Sequence, residues 1–224
     1  MATEIIWHGH AGFSIKNAVN ILVDPFFSAN PLSSEDVNSI KADLILVTHG
    51  HFDHAGDAVT IAKKNGCPIV CSFELSEIIK KENVETIDIN PGGTIEYNGV
   101  KATAVPAIHS SSYNGAYAGE AMGFIIDNGD LKIYHAGDTT FFKDMELIGE
   151  IYHPDVAMLP IGGHYTMDVD GAIEALKLLK VKNVIPMHYN TFPPIKADAS
   201  EFQKKAERSG VKAIVPEIAR PFKL

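Results

Sequence analysis

The sequence predicts an α/β fold, a four-layer αββα sandwich formed by one domain over residues 1–224. Strand-like apolar runs alternate with helix-like segments in both halves of the chain, and the middle is β in character. Two sheets that face each other and carry helices on their outer faces bury both kinds of segment. No linker or low-complexity stretch divides the chain, and no strict sequence repeat relates its halves.

The elements follow in order. Ile5 to Trp7, Phe13 to Ile15 and Ile21 to Val23 are β-type runs, the last ended by Asp24-Pro25, and Asp43 to Val47 is a short buried strand. Ala58 to Lys64 suits a helix that Gly66 stops. A strand at Ile69 and Val70 precedes an amphipathic helix over Glu74 to Lys81, with Leu75, Ile78 and Ile79 on one side. Five strands are then expected, over Thr86–Ile89, Thr94–Tyr97, Lys101–Val105, Gly123–Ile126 and Leu131–Tyr134, with "NPGG" and "DNGD" as turns. Helix and strand alternate again through Asp144–Ile151, Val156–Leu159, Gly171–Leu179 and Val184–Met187, and Ser200 to Arg208 forms a last helix.

Composition narrows the function. A formal charge of −9 and a pI near 5.5 disfavour a protein whose main work is neutralising phosphate backbones, so no nucleic-acid partner is expected. The start, Met1-Ala2-Thr3-Glu4, has no basic segment followed by an apolar one, and no apolar run approaches bilayer length. The expectation is a soluble cytoplasmic protein with a small-molecule substrate and no membrane partner, its oligomeric state left open, a homo-oligomer included. Cys67 and Cys71 stand too far apart along one strand, roughly 13 Å, to share a disulfide or a metal, and read as small buried hydrophobes.

The chemistry concentrates in "LVTHGHFDHAGD", residues 46–57, directly after a strand. His49 and His51 are two apart and project to the same side of an extended segment, whereas Asp53 and His54 are adjacent and diverge. One short loop can therefore serve two metal ions. Imidazole and carboxylate together suit zinc, manganese or iron, but four residues rarely complete two coordination shells. His109 after "TAVPAI", Asp138 in "IYHAGDTT" and His188 after "NVIPM" are polar groups placed just past apolar runs, and can supply the remainder. His8 and His153, taken singly, read as hydrogen-bonded core or surface histidines. The "HGHFDH" cluster does not, because buried ionisable groups are costly unless something binds them.

"THGHFDH" resembles the H-x-H-x-D-H signature of the metallo-β-lactamase-fold hydrolases, and His109, Asp138 and His188 fall in the order that family uses. The resemblance runs from "LVDPF" to the C-terminal histidine strand. "WHGHAGFSI", "HAGDTTFF" and "PIGGHYTM" further resemble a branch of small hydrolases near the ascorbate-6-phosphate lactonases. The resemblance implies that His49, His51 and His109 hold one ion, that Asp53, His54 and His188 hold a second, and that Asp138 bridges them. Two divalent ions are thus expected, zinc first, with manganese or iron as alternatives. Asp138 replaces the cysteine that several true β-lactamases use at that position, which argues against antibiotic hydrolysis.

The implied activity is hydrolysis of a small ester, lactone or phosphoester by hydroxide bound at a dinuclear centre, where two cations lower the pKa of water from about 16 towards roughly 7. Asp53 is expected to orient that hydroxide and take its proton. The resemblance also places His10 and His164 towards the metal pocket, as substrate-facing groups, with loop packing as the alternative. Asp24 and Asp57 are candidates to orient ligand histidines, or else a turn residue and a helix cap. His135 stays open. Two other classes compete: redox chemistry at iron in the same fold, and a non-catalytic metal-binding module. The diiron oxygen reductases of this fold add a flavin domain for which 224 residues leave no room, and a non-catalytic module would be expected to have lost ligands. An RNA-processing role is disfavoured by the acidic balance.

Overall fold

Along Leu44-Ile45-Leu46-Val47, successive side chains enter different cores: Leu44 and Leu46 join one buried cluster, and Ile45 and Val47 the other. The same partition separates Ile21 and Val23 from Leu22, and Val70 from Ile69 and Cys71. A sheet apolar on both faces must be covered on both. A computed structural model describes residues 2–224, so Met1, the first residue of the N-terminal segment read above, lies outside the described residues.

The first sheet is built from β1 (Glu4–Trp7), β2 (Phe13–Lys16), β3 (Asn20–Val23), β4 (Leu44–Leu46), β5 (Ile69–Cys71) and β6 (Thr86–Asp88). The second uses β7 (Thr94–Tyr97) and β8 (Val100–Pro106), then β11 (Met122–Asp127), β12 (Lys132–His135), β13 (Val156–Pro160), β14 (Asn183–Met187) and β15 (Lys212–Ala213). A separate hairpin, β9 (Ser112–Tyr113) and β10 (Ala116–Tyr117), lies between β8 and β11, and β16 (Pro221–Phe222) returns to pair with β1. Each large sheet has seven strands, in the orders β16-β1-β2-β3-β4-β5-β6 and β15-β14-β13-β12-β11-β8-β7.

One core unites inward residues of both sheets, such as Phe13, Leu46, Phe124 and Met158, with residues of the helices α4 (Met145–Tyr152), α5 (Val169–Leu179) and α6 (Ala199–Arg208). The other lies between the first sheet and the helices α2 (Ala58–Asn65) and α3 (Phe73–Ile79). These are the expected four layers. Gly66 ends α2 at φ +66°, as its position predicted, and Ser72, Asp168 and Asp198 accept backbone N–H groups at the starts of α3, α5 and α6. Cys67 and Cys71 are free and buried, and no helix among the described residues is long and apolar enough to cross a membrane. Sequence pattern missed the short helix α1 (Phe52–Ala55), the β9–β10 hairpin, β15 and β16. Elements of two to four residues are too short to display a period.

The two sheets repeat one topology although the sequence does not repeat. β1-β2-β3 are antiparallel, and β3-β4-β5-β6 continue in parallel; β8-β11-β12 and β12-β13-β14-β15 do the same. Asp24, just after β3, and Asp138, which follows β12, therefore stand at equivalent places in the two halves.

Where α4 crosses α5, a Cβ on Gly149 would lie 2.3 Å from the backbone oxygen of Leu179. Gly149→Ala must push the two helices apart, and is expected to cost about 1–3 kcal/mol of stability in urea unfolding. An unchanged unfolding midpoint would show that the helices separate freely.

Candidate metal centre

β1, β3, β4, β8, β12 and β14 point the same way within their sheets, and their C-terminal ends feed the loops that carry His10, Asp24, His49 to His54, His109, Asp138 and His188. Ligand sites gather at such strand ends because the loops there are free to vary while the sheet fixes their origin. Gly50 lets the first histidine pair enter the centre. A Cβ there would lie 2.7 Å from that of Ala118, and the Gly50 N–H donates to Ser111 Oγ. His51 then takes the N-cap position of α1, which turns Asp53 and His54 away from His49.

The structure brings seven predicted residues into one cluster. His49, His51 and His109 form a set whose ligand-type atoms all lie within 4.8 Å of one another, as do Asp53, His54 and His188 together with His10. Asp138 stands between the two sets: its Oδ1 is 3.3 Å from His54 Nε2, and its Oδ2 is 2.9 Å from His188 Nε2 and 3.6 Å from His109 Nε2. These contacts are not hydrogen bonds of good geometry. His54 Nε2, Asp138 Oδ1 and both ring nitrogens of His188 are buried without a hydrogen-bond partner. Orphaned nitrogen and oxygen donors converging on one place fit a divalent cation, and the mixed imidazole and carboxylate set suits zinc, manganese or iron.

Electrostatics favours the same fit. Burial holds His49 well below its ordinary pKa, and burial likewise lowers His51 and His109, which keeps their nitrogen lone pairs available. Burial works against a proton on His54 too, but Asp138 and Asp24 outweigh it and raise that group well above the usual range. Burial would push Asp138 up, yet His188 and His54 hold it well below the carboxylate range.

Asp24 orients the centre, as one of its two readings expected. Its Oδ2 accepts from His54 Nδ1 at 2.7 Å and from the Thr48 hydroxyl at 2.7 Å, while Oδ1 accepts the Thr48 N–H at 2.8 Å. With its proton committed to Asp24, the Thr48 hydroxyl accepts from His49 Nδ1 at 3.0 Å. Both rings thus carry their protons on Nδ1 and turn Nε2 inwards. Asp57 takes neither expected role. It sits at the N-cap position of α2 without a capping bond, and instead accepts from the N–H groups of Phe27 and Ser28 and the Ser28 hydroxyl. His135 is fully buried, with Nε2 donating to the Ala11 carbonyl and Nδ1 accepting from the Gly137 N–H, so it is structural. His8 bridges Glu35 and the hydroxyl of buried Ser14, and His153 ends α4 in the left-handed conformation, as the readings of single histidines expected.

His10 and His164 part company. His10 is fully buried and absent from the cavity wall, its ring centroid 4.0 Å from that of His188. Its Nε2 donates to Asp53 Oδ2 at 3.1 Å, so Nδ1 accepts from the Thr191 hydroxyl at 2.9 Å. Burial and the neighbouring His188 lower its pKa to about 4. Burial would raise Asp53, but its bond to His10 and the nearby His54 hold it below the usual range. His164 is exposed, with φ at +59°, and its ring packs edge-on against Tyr165, which takes the place on the cavity wall expected of His164. Gly163, just before it, is also left-handed, at φ +67°, so the chain turns sharply here.

A cavity of about 470 Å³ opens on the cluster, with His51, Asp53, His109, Asp138 and His188 at its base. Phe52, Phe192, Pro194 and Tyr165 complete its wall with Ser110. Sequence reasoning missed Thr48, Thr191 and these wall residues. Only Thr48 and Phe52 had a usable signal, as immediate neighbours of the motif.

Several known proteins are similar to this chain over most or all of its length. Residues 19–189 match the model described as "Beta-lactamase superfamily domain". A UPF0173 metal-dependent hydrolase of Thermoplasma volcanium is 57% identical over 224 residues, covering 100% of both chains. Its counterpart in Thermoplasma acidophilum is 58% identical over 221 residues, covering 99% of this chain and 98% of that one. Among solved structures, Igni18, a metallo hydrolase from Ignicoccus hospitalis, superposes with a TM-score of 0.90 at 39% identity, covering 100% of both chains. These matches do not carry the expected nearness to the ascorbate-6-phosphate lactonases.

Asp24→Asn retains the size of the side chain but weakens the hold on His54 Nδ1. Metal affinity is expected to fall by about 10–100-fold, the usual cost of losing such a partner, in a titration against a competing chelator. Unaltered affinity would show that packing alone orients His54.

Proposed function

We propose a reaction for this chain, which belongs to the beta-lactamase superfamily and, within it, to the UPF0173 metal-dependent hydrolases: hydrolysis of a small ester, lactone or phosphoester at a centre of two divalent metal ions. The observation that carries it is the pair of donor sets on either side of Asp138, with buried donors that no protein group satisfies. His49, His51 and His109 would hold one ion and Asp53, His54 and His188 the other, with Asp138 shared. Zinc suits the donors first, with manganese or iron as alternatives. Bound there, the ions would supply hydroxide at neutral pH and polarise the oxygen under attack.

The chain's own groups divide the remaining work. Asp24 and Thr48 keep the Nε2 lone pairs of His54 and His49 inward. His10 bonds Oδ2 of Asp53 and so fixes the orientation of the carboxylate, which would help hold an ion and accept the proton that the attacking water gives up. Being neutral near pH 7 and out of reach of the cavity, His10 positions Asp53 rather than touching substrate. Tyr165 and Ser110, on the cavity wall, can donate hydrogen bonds to substrate.

Asp138→Ala tests the shared ligand. Its loss leaves two like charges without a bridge, so purified variant is expected to retain fewer than two ions per chain by elemental analysis. Two tightly held ions in that variant would sink the assignment.

Protons compete with metal for the same imidazoles. His54, raised well above its ordinary value when no cation faces it, must release its proton to bind metal, so retention weakens as pH falls. Metal-loaded protein challenged with a chelator should lose its ions faster at pH 5.5 than at pH 7.5. The reverse order would mean that histidines are not the ligands.

A further inference from the structure

The cavity wall has a composition of its own. Apart from the donor groups at its base and Ser110, it consists of Phe52, Phe192, Pro194 and Tyr165. The chain contains 19 lysines and arginines, yet none is among the lining residues. The carboxylates that do line it, Asp53 and Asp138, are both assigned to the metal ions, so no charged group is left to meet a remote part of the substrate.

The aromatic wall is anchored. Phe26, only 2% exposed, meets Phe52 at 5.8 Å and Phe192 at 6.2 Å between ring centroids, and Phe52 and Phe192 are 6.1 Å apart. An inserted ring would need about 7 Å between flanking faces, two van der Waals contacts, so nothing slides between these rings. Their outer faces remain. Phe52 and Tyr165 are 63% and 56% exposed, an unusual state for two aromatic groups beside a reactive centre, and a ligand that covered them would bury that surface.

We infer that the substrate carries an aromatic or branched apolar substituent and no charge away from the reacting group. This rests on the hydrolase reading above and narrows it. A remote phosphate or carboxylate is ordinarily met by arginine or lysine, and here, away from the metal ligands, it would face aromatic rings, a proline and one serine hydroxyl. Among the three bond classes, the cavity therefore suits a neutral carboxyl ester or lactone, or a phosphoester whose only charge is on the reacting phosphoryl group, and rejects substrates with a remote phosphate or carboxylate. In each case water oxygen bonds to the acyl carbon or phosphorus and the bond to the alkoxide breaks. One proton of that water leaves with the alcohol and the other with the acid.

Three chelating probes separate the wall from the metal centre: acetohydroxamate, benzohydroxamate and 4-carboxybenzohydroxamate, titrated calorimetrically into zinc-loaded protein. The phenyl group should tighten binding by about tenfold over acetohydroxamate, and the added carboxylate should abolish that gain. Phe52→Ala and, separately, Phe192→Ala should bring the ratio between benzohydroxamate and acetohydroxamate towards one. Equal binding of these two by the unaltered protein, or tightest binding of the carboxylate probe, would overturn the substrate class and leave the metal centre standing. If none of the three binds, the metal-centre reading falls and this inference falls with it.

Discussion

Asp24, His54 and Asp138 form a line of three ionisable groups at one end of the sandwich, with Asp24 on the Nδ1 side of the ring and Asp138 near its Nε2. All three are buried, at 0%, 0% and 3% exposure. Two carboxylates around one imidazole would be a costly thing to remove from water if only hydrophobic packing surrounded them. Asp24 is satisfied by Thr48 and His54, whereas Asp138 Oδ1 and His54 Nε2 lack hydrogen-bond partners. Within this line the unmet demand is confined to the side of His54 that faces Asp138, where the proposed ions would answer it.

That line depends on the repeated sheet topology. β3 and β12 are each the strand at which a sheet changes from antiparallel to parallel pairing, and an aspartate follows each of them. Packing the two sheets against one another brings these equivalent positions to opposite sides of one histidine, which the intervening helix α1 supplies. The strands β4, β8 and β14 add the remaining sequence-distant donors from the same end. The halves differ where chemistry requires it: the loop after β4 carries His49 and His51 inward, while the loop after β13 carries His164 to the surface.

Backbone strain gathers at the same end of the sandwich. His10, Asp24 and His188 all have positive φ, at 54°, 45° and 55°, a conformation that residues other than glycine adopt uncommonly. Hydrogen bonds hold them there. The His188 N–H and the Trp7 indole both donate to the His10 carbonyl, at 2.9 and 3.0 Å, while the Asp24 N–H donates to the Leu46 carbonyl. Rigid sheets thus fix donors that the isolated loops would not hold, and the exposed aromatic wall remains beside them for the substrate.

Much of this was legible in the residues themselves. The period-2 runs set the strands because alternate side chains had to reach two different cores, and Leu44 to Val47 do so. The close spacing of His49, His51, Asp53 and His54 marked a metal site because buried ionisable clusters are unstable alone. His109, Asp138 and His188 were legible as polar groups at strand ends, and resemblance gave them partners. Tertiary structure alone decided what depends on approach between distant segments. It buried His10 behind Asp53, gave Asp24 rather than Asp57 to a donor histidine, sent His164 to the surface and put Tyr165 in its place. A sequence records which groups can bond or ionise. Which partner each one meets is set by the packing of two sheets whose contacts span more than a hundred residues, as from His10 to Thr191, and by a backbone turn such as that at Gly163, which no side-chain pattern announces.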